Sequence, residues 1–295
     1  MERLRYAPSP TGPLHSGNLS TALFTCLRAK TLDAELYLRM DSLDPVRCKK
    51  EHEESILRTL RWAHLKFDGQ TVYQRPDDPR FKKAFYYLRD RELVYPCFCS
   101  RKQGIVRTDL GNPVYKGICR HLSPQTAQSQ IAAGQPHCWR FRVEVNDITL
   151  RDVAAGPKLI RSEDWGGDFV IWRRDGFPAY PLATVVDDMS MKITEINRGM
   201  DLLAPSAAQT LLFQAFGANI PRFLHFPLLT DEHGDKLSKR KKESTPERFF
   251  SSIRDFHAFW SRTFKFPMDE ISSETPDEMA LLKAASRQNT SFDLA

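Results

Sequence analysis

No stretch of this sequence approaches the roughly 20 consecutive apolar residues that a membrane-spanning helix requires, which argues against a helical membrane protein. The opening MERLRYAPSP lacks the apolar core of a signal peptide, so a cytoplasmic protein without a membrane partner is expected. There is no internal repeat and no low-complexity tract, and the 19 prolines never form a run. Solenoid, collagen-like and disordered classes therefore drop out. Cysteine is sparse as well. Six in 295 residues do not make a disulfide framework. Cys26 falls on an apolar helical stripe and reads as packing, and Cys48 and Cys138 have no partner nearby. Only Cys97, Cys99 and Cys119 form a group.

What is present suffices for a large fold: 41% hydrophobic residues can fill one large core or two moderate ones. The net charge of +6 permits a polyanionic partner without requiring one. Its densest contribution is Lys236, Lys239, Arg240, Lys241 and Lys242. Up to residue 93 the pattern alternates strand and helix, with a strand at 35–40 and helices at 50–65 and 79–91. Such alternation indicates an α/β protein with a doubly wound parallel sheet. From residue 94 glycines and short alternating segments, such as CWRFRVEV from Cys138, replace it and suggest an inserted subdomain over 94–165. Strands at 168–173 and 193–198 and helices from Tyr180 and over 205–216 then resume the first pattern. Thr245 and Pro246 are expected to start a helix with Phe249, Phe250, Ile253, Phe256 and Trp260 on one face. Beyond Ser272 the sequence carries little signal. The expected divisions are 1–93 and 166–235 for the two halves of a nucleotide-binding domain, 94–165 for the insertion, and 236–295 for a lysine loop and short helical tail.

The stretch around which the chain is organised is RYAPSPTGPLHSGNLSTAL, from Arg5 to Leu23. Pro8, Pro10, Gly12 and Pro13 interrupt both strand and helix, and a helical stripe begins beyond His15 and Gly17. Asn18 is the expected N-cap. A helix start presents backbone N–H groups and a positive dipole end, which suits a phosphate. Far downstream stands a second basic element, Lys236-Leu237-Ser238-Lys239-Arg240.

Together the two elements resemble the HIGH and KMSKS signatures of class I aminoacyl-tRNA synthetases. The wording APSPTGxLHxGN is that of the glutamyl group, including its shortened glutamyl-Q tRNA(Asp) branch. The likeness runs from Arg5 to about Lys242. It implies a class I α/β fold, a ligase activity, and ATP with Mg2+ as the activating nucleotide. By the same resemblance His15, Lys236 and Lys239 are catalytic, while Pro10, Gly12, His15, Gly17, Asn18 and Lys239 hold ATP. Arg5, Ala7, Ser9, Asp41, Tyr180 and Arg198 hold L-glutamate, two arginines suiting a dicarboxylate. The usual R-I-E-D of the group is here Arg39-Met40-Asp41-Ser42, Pro181 stands where Asn is common, and Met200 replaces an acid. Two readings stay open: glutamate with a shifted backbone, or a pocket remodelled for another amino acid or poorly active.

Three thiols in a C-x-C…C pattern are a weak metal signal unaided, and reduced structural cysteines fit as well. The resemblance implies more: Cys97, Cys99, Tyr115 and Cys119 as the ligands of one structural Zn2+. It also implies that glutamate is passed to queuosine in the anticodon loop of tRNA(Asp) by a monomeric enzyme, since the chain ends soon after Arg240, without the anticodon-binding region of a full glutamyl-tRNA synthetase. The rival readings are a small-molecule ligase with the same two motifs, and a non-catalytic RNA-binding relic.

Overall fold

In the computed structural model the residues before the proline-rich loop form a strand, β1 (Arg3–Tyr6), and those after it a helix, α1 (Ser16–Thr31). The structure describes residues 1–107, 113–144, 147–161, 166–231, 245–287 and 290–292. The lysine loop with Lys236, Lys239 and Arg240 lies outside them. β2 (Glu35–Asp41) runs parallel to β1, α2 (Lys50–Trp62) follows, and β3 (Val72–Gln74) lies parallel to β2. α2 ends short of the expected residue 65 because the chain turns left-handed at His64, φ 54°. α3 (Pro79–Arg89) likewise stops before Glu92, φ 57°, and is started by Asp78, whose carboxylate accepts from the Arg80 N–H.

The middle of the chain turns antiparallel. It runs through β4 (Val94–Cys97), α4 (Arg101–Gly104), the β5 (Ile105–Arg107) and β6 (Pro113–Tyr115) pair, α5 (Pro124–Ala132) and β7 (Cys138–Phe141). Next come the hairpin of β8 (Asp147–Asp152) and β9 (Gly156–Arg161), and then β10 (Val170–Trp172). β7 sits between β4 and β10, antiparallel to both.

α6 (Tyr180–Ser190) leads to β11 (Glu195–Gly199), a 3-10 turn (Met200–Leu202), α7 (Leu203–Ala215) and β12 (Arg222–Phe226). Beyond the end of α7 stands Gly217, whose φ of 64° suits a residue without a side chain. β11 and β12 are parallel, and β8 extends that sheet through Asp152 opposite Phe223. β11 lies beside β1, with Thr194 N donating to the Arg3 carbonyl at 2.9 Å. The spatial order β3, β2, β1, β11, β12 is that of a doubly wound α/β sheet whose two halves meet between β1 and β11.

Both faces are covered, as parallel sheets require. One layer joins Leu23 and Phe24 of α1 to Leu38, Phe226 and Trp260. The other joins Phe81 and Phe85 to Leu182, Ile196 and Phe213. After β13 (Leu229–Asp231), the described chain resumes at Thr245 with a 3-10 turn (Pro246–Arg248). The helix expected from Thr245 begins only at α8 (Ile253–Phe264), because Ser252 caps it by accepting from the Asp255 N–H. Phe249, assigned above to the apolar face, is consequently 42% exposed. α9 (Met268–Ser272) and α10 (Glu278–Ala285) follow, and β14 (Thr290–Phe292) pairs with β13. α10 docks on α1: Leu281 is buried in the same core as Phe24, and Arg28 pairs with both Glu195 and Glu278. Among the described residues no helix is long and apolar enough to cross a membrane.

Candidate active site

The loop from Ala7 to Leu14 leaves β1 at its carboxyl end, where open α/β sheets bind ligands. His15, rather than Asn18, is the N-cap of α1. Its Nδ1 accepts from the N–H groups of Gly17 (3.1 Å) and Asn18 (3.3 Å), and the Asn18 side chain accepts in return from the His15 N–H. Two of the backbone donors expected to meet a phosphate are thus already taken by the ring. Because Nδ1 is an acceptor, the neutral imidazole carries its proton on Nε2. Gly17 has a steric reason of its own: a Cβ there would stand 3.0 Å from the His15 ring.

A cavity of about 570 Å³ opens between this loop and the end of β11. Arg5, Ala7, Ser9, Asp41, Tyr180 and Arg198 line it, and so do Gly12, His15, Gly17 and Asn18. Pro10 is buried behind the loop and is not in the lining. The expected glutamate and nucleotide residues on described parts of the chain otherwise share one space.

Their charges are ordered by α6. Asp188 takes Arg5 Nε (3.0 Å) and Nη2 (3.1 Å) as a fork and accepts from Arg39 Nη1 at 2.7 Å. Arg39 in turn donates from Nε to Asp41 at 2.6 Å. Burial opposes the charge on Asp188, but Arg5 and Arg39 outweigh it and hold the carboxyl below the usual range. At Asp41 burial prevails over Arg39 and the carboxyl stands above that range. Neighbouring Asp187 is held separately by Gln74 Nε2 (2.6 Å) and Arg80 Nη2 (2.9 Å).

Arg198 is different. It donates from Nη2 to Gln209 and lies 5.1 Å over the Phe223 ring, yet its buried Nε and Nη1 meet no partner. Burial lowers this guanidinium to about 10, so it is still charged at neutral pH. Of the two arginines expected to bind a dicarboxylate, Arg5 is committed to Asp188, and Arg198 has no counter-ion among the described residues. An unpaired buried cation is costly and calls for an anion in the cavity.

In the middle region, Cys97, Cys99 and Cys119 bring their sulfurs within 4.8 Å of one another. Tyr115 Oη lies 3.4 Å from Cys97 Sγ and 3.7 Å from Cys99 Sγ, and Cys99 and Cys119 are 3.4 Å apart. A tetrahedral zinc–thiolate site spaces its sulfurs by about 3.8 Å, so the four side chains suit one ion. Hydrogen bonding from Cys138, joined by Tyr115 and Arg140, outweighs burial and brings the Cys97 thiol down to about 4, whereas burial pushes the Cys99 thiol up to about 11. A thiolate is the form that binds metal. Arg140, 3.8 Å over the Tyr115 ring, offsets the negative charge of such a set.

The family model "tRNA synthetases class I (E and Q), catalytic domain" matches residues 2–255. This chain is a class I synthetase of the E and Q family. Among its curated relatives, the glutamyl-Q tRNA(Asp) synthetase of Chromobacterium violaceum is 39% identical over 240 residues, covering 81% of this chain and 78% of that one. The glutamate–tRNA ligase of Bacillus pumilus is 37% identical, and the match takes in only 52% of its length, so this synthetase spans about half of such a ligase. In fold it is similar to the glutamate–tRNA synthetase of Elizabethkingia anophelis, with a TM-score of 0.79 over 99% of this chain and 68% of that one at 23% identity. The synthetase is therefore an ATP- and Mg2+-dependent ligase by class, with the doubly wound fold of that class. Asn197, Gly199 and Asp201 also line its cavity and were not singled out from the sequence. The signal for them is position alone, at and just past the carboxyl end of β11.

Proposed function

We propose that the cavity joins L-glutamate to ATP and that the synthetase passes the glutamyl group to queuosine in the anticodon loop of tRNA(Asp). The observation that carries the amino-acid assignment is Arg198, a buried guanidinium with two unsatisfied nitrogens in a cavity whose other buried arginine, Arg5, is already paired and whose third, Arg47, is exposed. Arg5, Arg39 and Arg198 against Asp41 and Asp188 leave one positive charge over, matching a substrate with two carboxylates and one ammonium. In this reading Arg198 takes one carboxylate, while Asp41 and Tyr180 hold the ammonium end. The α-carboxylate attacks the α-phosphorus of ATP and pyrophosphate leaves. His15 Nε2–H donates to the phosphate oxygen on which charge grows, and Lys236 and Lys239 escort the leaving pyrophosphate. A cyclopentene hydroxyl of queuosine then attacks the adenylate carbonyl, AMP departs, and an ester remains. Cys97, Cys99, Tyr115 and Cys119 hold one structural zinc.

The relatives with the glutamyl-Q name support the acceptor over a 3′-terminal adenosine. Incubation with labelled glutamate, ATP and total tRNA tests it. Alkali-labile label should appear in tRNA(Asp), in the anticodon-loop fragment after digestion, and only when queuosine is present. Label on the 3′-terminal nucleotide of tRNA(Glu) would replace this reading with ordinary glutamylation.

A further inference from the structure

The cavity has two flanks, set by the alternation of side chains along β11. Glu195 turns toward α1, where it takes the Arg28 fork at 2.9 and 3.1 Å. Asn197, two residues on, shares that face, whereas Arg198 turns to the opposite one and meets Gln209. On the α1 flank the cavity wall includes Phe24 and Phe226, stacked with centroids 4.1 Å apart. The hydroxyls of Ser20 and Thr21 on that flank donate to carbonyls of their own helix, at 2.8 and 3.1 Å. Asn197 is 4% exposed, and neither its Oδ1 nor its Nδ2 has a partner among the described residues. Leaving a buried polar group unsatisfied is costly. A leucine of similar size at this position avoids that cost, so the amide calls for a ligand to complete it.

We propose that Asn197 reads the edge of the purine base of ATP. The proposal rests on the reading that ATP binds in this cavity. A donor beside an acceptor complements the 6-amino group and adjoining ring nitrogen of adenine, the pairing that asparagine makes with adenine elsewhere. Phe24 and Phe226, stacked on one another and almost fully buried, form the apolar wall behind that amide. Asn197 is thus a specificity residue for the nucleotide, separate from Arg198 on the amino-acid flank.

Equilibrium binding of nucleotides to wild type and to Asn197→Leu tests this, together with melting of the unliganded proteins. The variant should melt at or above the wild-type temperature, since it loses an unsatisfied amide. It should bind ATP about 10-fold more weakly, the equivalent of one buried hydrogen bond. Wild type should also bind purine riboside triphosphate, which lacks the 6-amino group, about 10-fold less tightly than ATP, and Asn197→Leu should not distinguish the two. Loss of discrimination against 2′-deoxy-ATP instead would place the amide on the ribose and overturn the base assignment. Equal ATP affinity in variant and wild type would overturn the proposal, whereas absence of ATP binding by wild type would overturn the underlying reading. Should the leucine variant not fold, the wild-type side-chain amide resonances, assigned with Asn197→Val, must shift on ATP addition. Unchanged resonances in an ATP-binding protein would equally overturn it.

Discussion

Asp188 holds together the buried charges of the cavity, because it is the one carboxylate shared by Arg5 and Arg39. Its depressed folded pKa means that its stabilisation is fully present above the ordinary carboxylate range and is lost as the pH falls through the lower folded value. Asp188→Asn should therefore destabilise the protein at pH 7 by about 3–5 kcal/mol, the cost of stranding a buried charge. The gap should narrow as both proteins are acidified below about pH 4. Denaturant unfolding across pH checks this, and a gap that does not change with pH would remove Asp188 from the charge network. Such pairings are long-range and were not readable beforehand. The spacing RYAPSP picks out Arg5, but nothing near it in sequence says that Asp188, on a helix of the other half, binds it first. His15 was legible as a polar group beside Gly17, yet its role as the N-cap depends on a ring rotamer that only the fold reveals.

At the scale of elements, the cysteine-bearing region is the sharpest test. β4 supplies Cys97, β6 supplies Tyr115 and the turn beyond it Cys119, with few apolar side chains to hold them together in a small cluster. A metal would supply that cohesion. Protein purified without chelator should contain about one zinc per chain, and Cys119→Ser should lose it and unfold this region at lower temperature. Metal analysis with melting provides the check, and metal-free protein of undiminished stability would contradict the assignment. Strands and helices were mostly visible in the apolar periods. Helix ends were not, because His64 and Glu92 adopt left-handed backbone that their residue types do not announce. The helix expected from Thr245 failed for a related reason: Phe249 and Phe250 continued the apolar count across a break that Ser252 imposes. The tail beyond Ser272 was silent because the significance of Leu281 and Glu278 lies in α1, far away in sequence.

For the whole molecule, the alternation of strands and helices and the two motifs were enough to place the chain in a doubly wound α/β class. That β1 and β11, far apart in sequence, lie side by side, and that Arg5, Asp41, Tyr180 and Arg198 share one cavity there with His15 and Gly17, is a property of the assembled sheet. The central claim is that this single cavity binds glutamate and ATP together. Amino-acid-dependent exchange of pyrophosphate into ATP, measured across a panel of amino acids, tests it most directly. L-glutamate should stimulate exchange above all others, and Arg198→Met should abolish that stimulation. Exchange driven equally by another amino acid, or undiminished in the Arg198 variant, would contradict it.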